Sequence, residues 1–301
     1  MAEEVHLYLY PDLRNRMEHG RDRFLGTFVG LLRARGWRVV VHDDSAKELA
    51  QAPHRAGHAL VRMIPPPHDR ALTFRRTYLR PFWHLERVAE RWNWPVARAR
   101  FDASGVAPNK PERFLNNLRQ RHYPRVTPSR EGFVLVPLQG RLLEHRNFQS
   151  MSPIAMLETL LQHDPRPLHA TLHPKEPPGP EERAALDALA ARHQRLTIST
   201  GTTAALLPCC DYVATQTSAV AFSGYLLEKP ALLFGQTDFH HIATTVADLG
   251  AEEALARAPG MTPNFAAYLW WRLRDHAIDD SRPDLETRIL RALRRAGWPV
   301  H

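Results

Sequence analysis

The stretch Gly132-Phe-Val-Leu-Val-Pro-Leu138, closed by Gln139-Gly140, is an unbroken apolar run that ends in a turn signal. A strand buried on both faces reads this way, because neither face alternates with solvent. Working outward, residues 153–163 have helical spacing, 168–172 form a strand, 181–194 a helix and 196–199 a short strand. Residues 211–216 then read as a strand, 217–228 as a helix and 231–234 as another strand. Parallel neighbours need long crossovers, so this alternation predicts a parallel α/β sheet with helices on both faces. Two further helices, over residues 263–278 and 283–296, are expected to pack back on it.

Toward the N-terminus the pattern repeats. Val5-His-Leu-Tyr-Leu-Tyr10 alternates like a half-buried strand. An amphipathic helix follows through Phe24, Leu25, Phe28, Leu31 and Leu32 and stops at Gly36. Residues 37–42 are a second strand, and Asp43-Asp44-Ser45 can cap a short helix reaching about Gln51. Residues 58–63 are a third strand, ended by Pro65-Pro66-Pro67. Leu85, Val88, Ala89 and Trp92 are spaced like one face of a helix. Residues 102–130 are basic, contain prolines and lack a clear period, which suits an interdomain connection. Two α/β domains are therefore expected, residues 1–130 and residues 131–301.

Composition excludes several classes. A chain of 301 residues with 44% hydrophobic and 24% charged residues is neither disordered nor a disulfide-stapled miniprotein. The longest apolar runs, such as 266–271, fall far short of the roughly 20 residues that span a bilayer, and the opening Met-Ala-Glu-Glu-Val lacks signal-peptide character. A cytoplasmic location is the expectation. Two adjacent cysteines, Cys209 and Cys210, provide neither a disulfide framework nor a thiolate zinc site. The net charge of +8 invites a nucleic-acid reading, but nothing beyond the total supports one. Its placement is more informative: residues 1–130 carry 24 basic and 13 acidic side chains, against 16 and 19 in residues 131–301.

In an open parallel sheet, ligands bind outside the carboxyl ends of the strands. Four such ends carry polar or cationic groups: Gln139-Gly140, His173-Pro174-Lys175, Gln216-Thr217-Ser218 and Gly235-Gln236. Convergence on one rim, with a helix starting at Thr217, suits a phosphate-bearing ligand. Taken singly, His173 also reads as a turn residue, Thr217 or Ser218 as a helix cap, and Gln139 as a partner for backbone groups.

The ordered segments Val-Pro-Leu-Gln (136–139), Leu-His-Pro-Lys (172–175), Asp-Tyr-Val-Ala-Thr-Gln-Thr-Ser-Ala-Val (211–220) and Glu-Lys-Pro-Ala-Leu-Leu-Phe-Gly (228–235) resemble the capsule polysaccharide synthesis family. That family includes Kdo transferases. The resemblance covers about residues 132–245 and implies a GT-B-like glycosyltransferase with two Rossmann-like domains. The C-terminal domain would hold a nucleotide-sugar donor such as CMP-Kdo. The N-terminal domain would hold a glycan or glycolipid acceptor of capsule or lipopolysaccharide synthesis. Gln139, His173 and Ser218 match donor-site positions; Thr217 and Gly235 lie on the same strand ends, and Lys175 is added for its charge. Neither a metal nor a cofactor beyond the donor is implied. Ser223 stands where the family usually has a glutamate, with Glu228 at the helix end, and Leu143 or Glu144 falls where an acidic residue is usual.

Glycosyl transfer needs a base for the acceptor hydroxyl and positive charge for the departing phosphate. Glu18 and Asp12, in the loop expected after the first strand, are the candidate bases; the bland readings are a solvated face and a helix cap. Met17-Glu18-His19-Gly20-Arg21 also reads as an anion-binding turn. The adjacent His240 and His241 are expected to point apart and so not to form a ligand pair. Trp270, Trp271, Phe265, Leu269 and Leu273 read as a core-facing helix side, with a membrane-contacting surface as the alternative. The basic N-terminal half, with Arg75, Arg76 and Arg80, suits an anionic glycan or the acidic head groups of the inner membrane, as for a peripheral protein. A non-catalytic glycan- or nucleotide-binding partner of another transferase is the alternative.

Overall fold

The computed structural model describes residues 3–106 and 109–300. In chain order the elements are β1 (Glu4–Leu9), α1 (Pro11–Glu18), α2 (Arg23–Arg33), β2 (Arg38–Asp43), α3 (Ala46–Gln51), β3 (His58–Arg62), β4 (Ala71–Arg76) and β5 (Phe82–Glu86). Next come α4 (Pro95–Arg98), α5 (Asn109–His122), β6 (Val134–Pro137), α6 (Pro153–His163), β7 (Leu168–Leu172), α7 (Pro180–Arg192), β8 (Leu196–Thr200), α8 (Thr203–Leu206), β9 (Tyr212–Thr215) and α9 (Ala219–Tyr225). The chain closes with β10 (Ala231–Leu233), β11 (Thr244–Thr245), α10 (Val246–Leu249), α11 (Ala251–Arg257), α12 (Phe265–Trp270), β12 (Ile278–Asp279) and α13 (Leu285–Arg295). Among the described residues no helix is long and apolar enough to cross a membrane.

The strands form two six-stranded sheets, each the centre of a Rossmann-like α/β unit. One unit takes the chain up to Val96 and again from Leu273; the other runs from Ala97 to Arg272. The division expected after residue 130 thus falls inside the second unit, and the last helix is grouped with the first.

In the first unit the strand order is β12-β5-β4-β3-β1-β2. β2, β1, β3 and β4 run parallel, while β5 and β12 add antiparallel at one edge. Helix α2 forms because Asp22 caps it, its Oδ1 accepting the Leu25 N–H at 3.1 Å, and because Phe24, Leu25, Phe28, Val29, Leu31 and Leu32 recur on one buried stripe. That stripe shares a core with Trp83 and with Ile289 and Leu293 of α13. Phe24 and Trp83 stack at 4.6 Å, and Trp37 stacks on Trp298 at 5.6 Å. The helix expected around Leu85 and Trp92 is instead β5 and the turn after it. All five residues of β5 are buried between β4 and β12, so no alternation betrays the strand. The segment after β1 is helical rather than a loop, as α1 starts directly at Pro11.

In the second unit all six strands are parallel in the order β11-β10-β9-β6-β7-β8. β6 lies at the centre. The chain builds outward through β7 and β8, returns to the other side of β6 with β9, and continues to β10 and β11. The reversal opens a crevice between the carboxyl ends of β6 and β9, the position at which such sheets take ligands. The stretch read as a connection contains α5, whose Pro111, Leu115 and Leu118 are buried and whose Phe114 ring meets Trp270 of α12 edge-on at 5.6 Å. Phe265, Leu269, Trp271 and Leu273 are buried, in keeping with a core-facing role.

Candidate functional site

The switch-point crevice is bridged by side chains of the β9 end. Beyond the Leu135–Val213 pair, Thr215 Oγ1 donates to the Pro137 carbonyl at 2.9 Å, and Thr217 Oγ1 donates to Gln139 Oε1 at 3.1 Å. Threonine suits both positions: it is β-branched for the strand and carries a hydroxyl that reaches the neighbouring chain. The second bond fixes the Gln139 amide by its oxygen, and among the described residues its NH2 group donates to nothing. Ser218 caps α9, its hydroxyl accepting the Val220 N–H at 3.3 Å. Thr217 and Ser218 are buried, whereas Gln139 is half-exposed.

Gly235 closes the other side of β9 through closeness. A Cβ there would lie 2.8 Å from Thr217 Cγ2 and 3.1 Å from the Gln216 carbonyl oxygen, so only glycine lets the β10 end approach the rim. Gln139, Thr217, Ser218 and Gly235 are thereby brought together. His173 and Lys175 lie in an exposed turn after β7, where His173 Nδ1 accepts the Lys175 N–H at 3.3 Å. That is the arrangement of a turn residue. The turn is tied to the same rim by Glu176, whose Oε2 accepts the Gly140 N–H at 3.3 Å.

Several polar groups at this edge, Gln216 apart, lie outside the residues singled out from the sequence. Glu182 accepts the Leu142 N–H at 2.5 Å and the Gly179 N–H at 2.8 Å, holding the loop after Gln139 to the start of α7. Gln149 is 7% exposed; its Oε1 accepts the Arg146 N–H at 2.8 Å, but its Nε2 is buried without a partner. Gln216, 3% exposed, donates to the Met151 carbonyl at 3.0 Å and leaves Oε1 unpartnered. Arg146 lies over the Phe148 ring at 4.8 Å with a buried, unpartnered Nε. Burial, then the like charge of Arg141, lowers its pKa from the ordinary value. Unsatisfied buried donors and acceptors are costly, so these groups are ones that ordered water or a bound molecule would satisfy. The sequence signal was faint: Arg146 and Gln149 stand in an aperiodic stretch, and only the flanking Phe148 and Met151 hint that Gln149 is buried.

Asp12 and Glu18 occupy the first and last turns of α1, at the carboxyl end of β1 in the first unit. Both are exposed and engaged with arginines of the same helix: Asp12 with Arg16 at 3.6 Å, and Glu18 with Arg14 at 2.9 Å. Tyr10, not Asp12, is the N-cap residue of α1, and Ser45 caps α3. His240 and His241 do not diverge; their rings stack at 4.4 Å in a tight 3-10 turn, bound to the Thr237 carbonyl and the Tyr268 hydroxyl. Cys210 is buried, and burial pushes its thiol up to about 12, which makes it a poor nucleophile.

No family model matches the sequence, and no curated protein matches it. Its fold is similar to that of solved structures. One is Thermosulfurimonas dismutans KpsC, beta Kdo 2,7 transferase, with a TM-score of 0.51, 13% identity and 89% of each chain covered. Others are Thermosulfurimonas dismutans KpsC, beta Kdo 2,4 transferase, at 0.47, 14% and 89% of each chain, and an S. aureus MnaA-UDP co-structure at 0.33 and 10%, covering 89% of this chain and 94% of that one. At 13% identity the first likeness is one of fold: two Rossmann-like α/β units, the GT-B-like class expected from the sequence.

Proposed function

We propose that the chain is a glycosyltransferase that binds a nucleotide-sugar donor at the carboxyl edge of the second sheet, in the manner of the capsule polysaccharide synthesis family. The observation that carries this reading is the Thr217-to-Gln139 hydrogen bond across the β6/β9 crevice, which holds a free amide NH2 group at the switch point of a parallel sheet. The unpartnered Gln149 and Gln216 groups and the fold shared with a Kdo transferase support it. In the reaction, an acceptor hydroxyl oxygen bonds to the anomeric carbon of the donor sugar as the bond to the phosphate oxygen breaks. The electron pair leaves with the nucleotide, and a base takes the hydroxyl proton. Arg146 and Lys175 supply positive charge to the departing phosphate, and Arg146, desolvated and stacked, is the better placed. Asp12 and Glu18 remain the proposed bases, and CMP-Kdo the proposed donor. An anionic glycan or a glycolipid at the inner-membrane surface is the acceptor class.

Calorimetric titration with CMP, UDP and their sugar conjugates tests the donor site. Saturable binding of at least one nucleotide is expected, weakened about tenfold in Gln139→Ala and in Arg146→Ala, as when one hydrogen bond to a charged group is lost. Absence of binding by every nucleotide would sink the reading. The second reading, a non-catalytic binding relative, is favoured by Ser223, which lies within hydrogen-bonding reach of Tyr123 where the family carries a glutamate. Donor turnover that disappears in Asp12→Asn or Glu18→Gln, with nucleotide binding retained, excludes it.

A further inference from the structure

The first unit contains a cavity of about 270 Å³ whose lining includes five arginines, Arg16, Arg21, Arg23, Arg76 and Arg80. Three elements place them there: Arg16 lies in the last turn of α1, Arg21 and Arg23 flank the cap of α2, and Arg76 and Arg80 bound the turn between β4 and β5. Three of the five already have protein partners. Arg16 reaches the Tyr10 hydroxyl at 3.3 Å, though its Nε is buried without a partner. Arg21 donates to the Asn15 side chain, and Arg23 to the Arg282 carbonyl at 3.0 Å.

Arg76 and Arg80 are different. Among the described residues neither side chain makes an ion pair or a hydrogen bond. Arg76 is half-buried, with its guanidinium 5.1 Å above the Trp83 ring. Burial, then the like charges of Arg80 and Arg16, lowers its pKa from the ordinary value. A single cation–π contact compensates only part of the cost of a desolvated charge beside like charges.

The two carboxyl groups in the cavity do not fill the gap. Asp22 spends Oδ1 on capping α2 and stands 4.0 Å from Arg16 through Oδ2. Asp280 accepts the Trp83 Nε1–H at 2.7 Å, and burial holds its carboxyl above the usual range. The concave site therefore keeps a positive excess and at least two uncommitted guanidinium forks, a geometry matched to the paired oxygens of a carboxylate or phosphate.

We propose that this cavity is a binding site for the oxyanion of an acidic sugar, a carboxylate or a phosphate, with Arg76 and Arg80 as the groups that grip it. The volume suits one sugar-sized moiety rather than a polymer. That the sugar belongs to the acceptor rests on the proposed function; that the cavity takes an oxyanion does not.

The test uses the full chain and three probes, glucuronate, glucose 6-phosphate and glucose, followed by calorimetry or by ligand-observed NMR. Saturable binding of one or both acidic sugars is expected, with none of glucose, and the two acidic arms separate the carboxylate from the phosphate. Arg80→Gln, at an exposed position, and Arg76→Gln should each weaken that binding at least tenfold, while Arg76→Lys keeps part of it. Nucleotide binding at Gln139 is measured in parallel as a check that the variants fold. Equal affinity for glucose, no saturable binding of either acidic sugar, or affinity unchanged in both glutamine variants would overturn the proposal. A chain that binds glucuronate but no nucleotide would retain this site and lose the donor-site reading.

Discussion

Gly235 carries no reactive group, yet it sets how tightly the rim closes. The Cβ of an alanine would meet Thr217 Cγ2 at 2.8 Å and the Gln216 carbonyl oxygen at 3.1 Å, and the carbonyl belongs to the backbone that positions Ser218. Relief requires the β9 end to move, which displaces the Thr217 hydroxyl from Gln139. Gly235→Ala is therefore expected to cost about 1–3 kcal/mol of stability, the range for overpacking a tight site, and to weaken nucleotide binding at least tenfold. Denaturant melts and titration check this, with Gly260→Ala as control, since open space surrounds that glycine. An alanine at 235 that binds nucleotide as well as the parent shows the rim to be more pliant than these contacts allow. From sequence, Gly235 read only as a strand end beside other polar groups. Its role is a distance between two strands, and no local pattern carries a distance.

Elements were legible where the buried positions are mostly apolar. β6, β7 and β9 are short apolar runs separated by helices, so period and length agree, and residues 153–163 and 168–172 match α6 and β7. β5 was hidden because its two-sided burial includes His84 and Glu86, which pair with each other at 3.0 Å and make a core strand look polar. The spacing of Leu85 and Val88 then imitates a helix, although Leu85 is buried and Val88 is 37% exposed. α5 was hidden for the opposite reason: only a narrow stripe is apolar, and ten of its fourteen residues are polar or charged. The crossing of α13 back to the first unit also lay beyond reach, since its amphipathic stripe specifies a partner surface without naming which one. Ile289 on that stripe is fully buried in the core that includes Phe28 and Trp298. Ile289→Ala should cost about 2–5 kcal/mol. Hydrogen exchange would then show protection falling in α2 and β1–β5 and holding in β6–β10. Loss confined to the second sheet would contradict the grouping of the C-terminal helix with the first unit.

At the scale of the whole molecule, the charge asymmetry read from the sequence is redistributed by the fold. The first unit carries 22 basic and 16 acidic side chains and the second 18 and 16, because residues 97–130 add their positive excess to the second. What distinguishes the first unit is its titration. His42, His58 and His68 all have pKa values lowered from 6.5, with burial the largest cause in each; Arg55 adds to it at His42, and Arg70 at His58 and His68. A histidine with a lowered pKa in the fold takes up its proton in the unfolded chain first. Between the folded value and 6.5 the unfolded state thus binds more protons, and stability rises with pH across that window. Each contribution is present above 6.5 and is lost as pH falls below it. Asp275 and Asp280 act in the other direction: burial raises both from 3.8, so their protonation favours the fold on acidification. Three histidines whose ordinary value lies at 6.5 outweigh two carboxyls whose ordinary value lies at 3.8 in the window just below neutrality. Melting is therefore expected at a lower temperature at pH 5.5 than at pH 7.5, as thermal unfolding followed at the two pH values would show. His68→Gln, which replaces a ring whose Nδ1 is buried without a partner, should shrink that difference without altering the melt at pH 7.5 by a comparable amount. A melting temperature that holds or rises on acidification would assign the pH response to Asp275 and Asp280 instead, and Asp280→Asn would then flatten it.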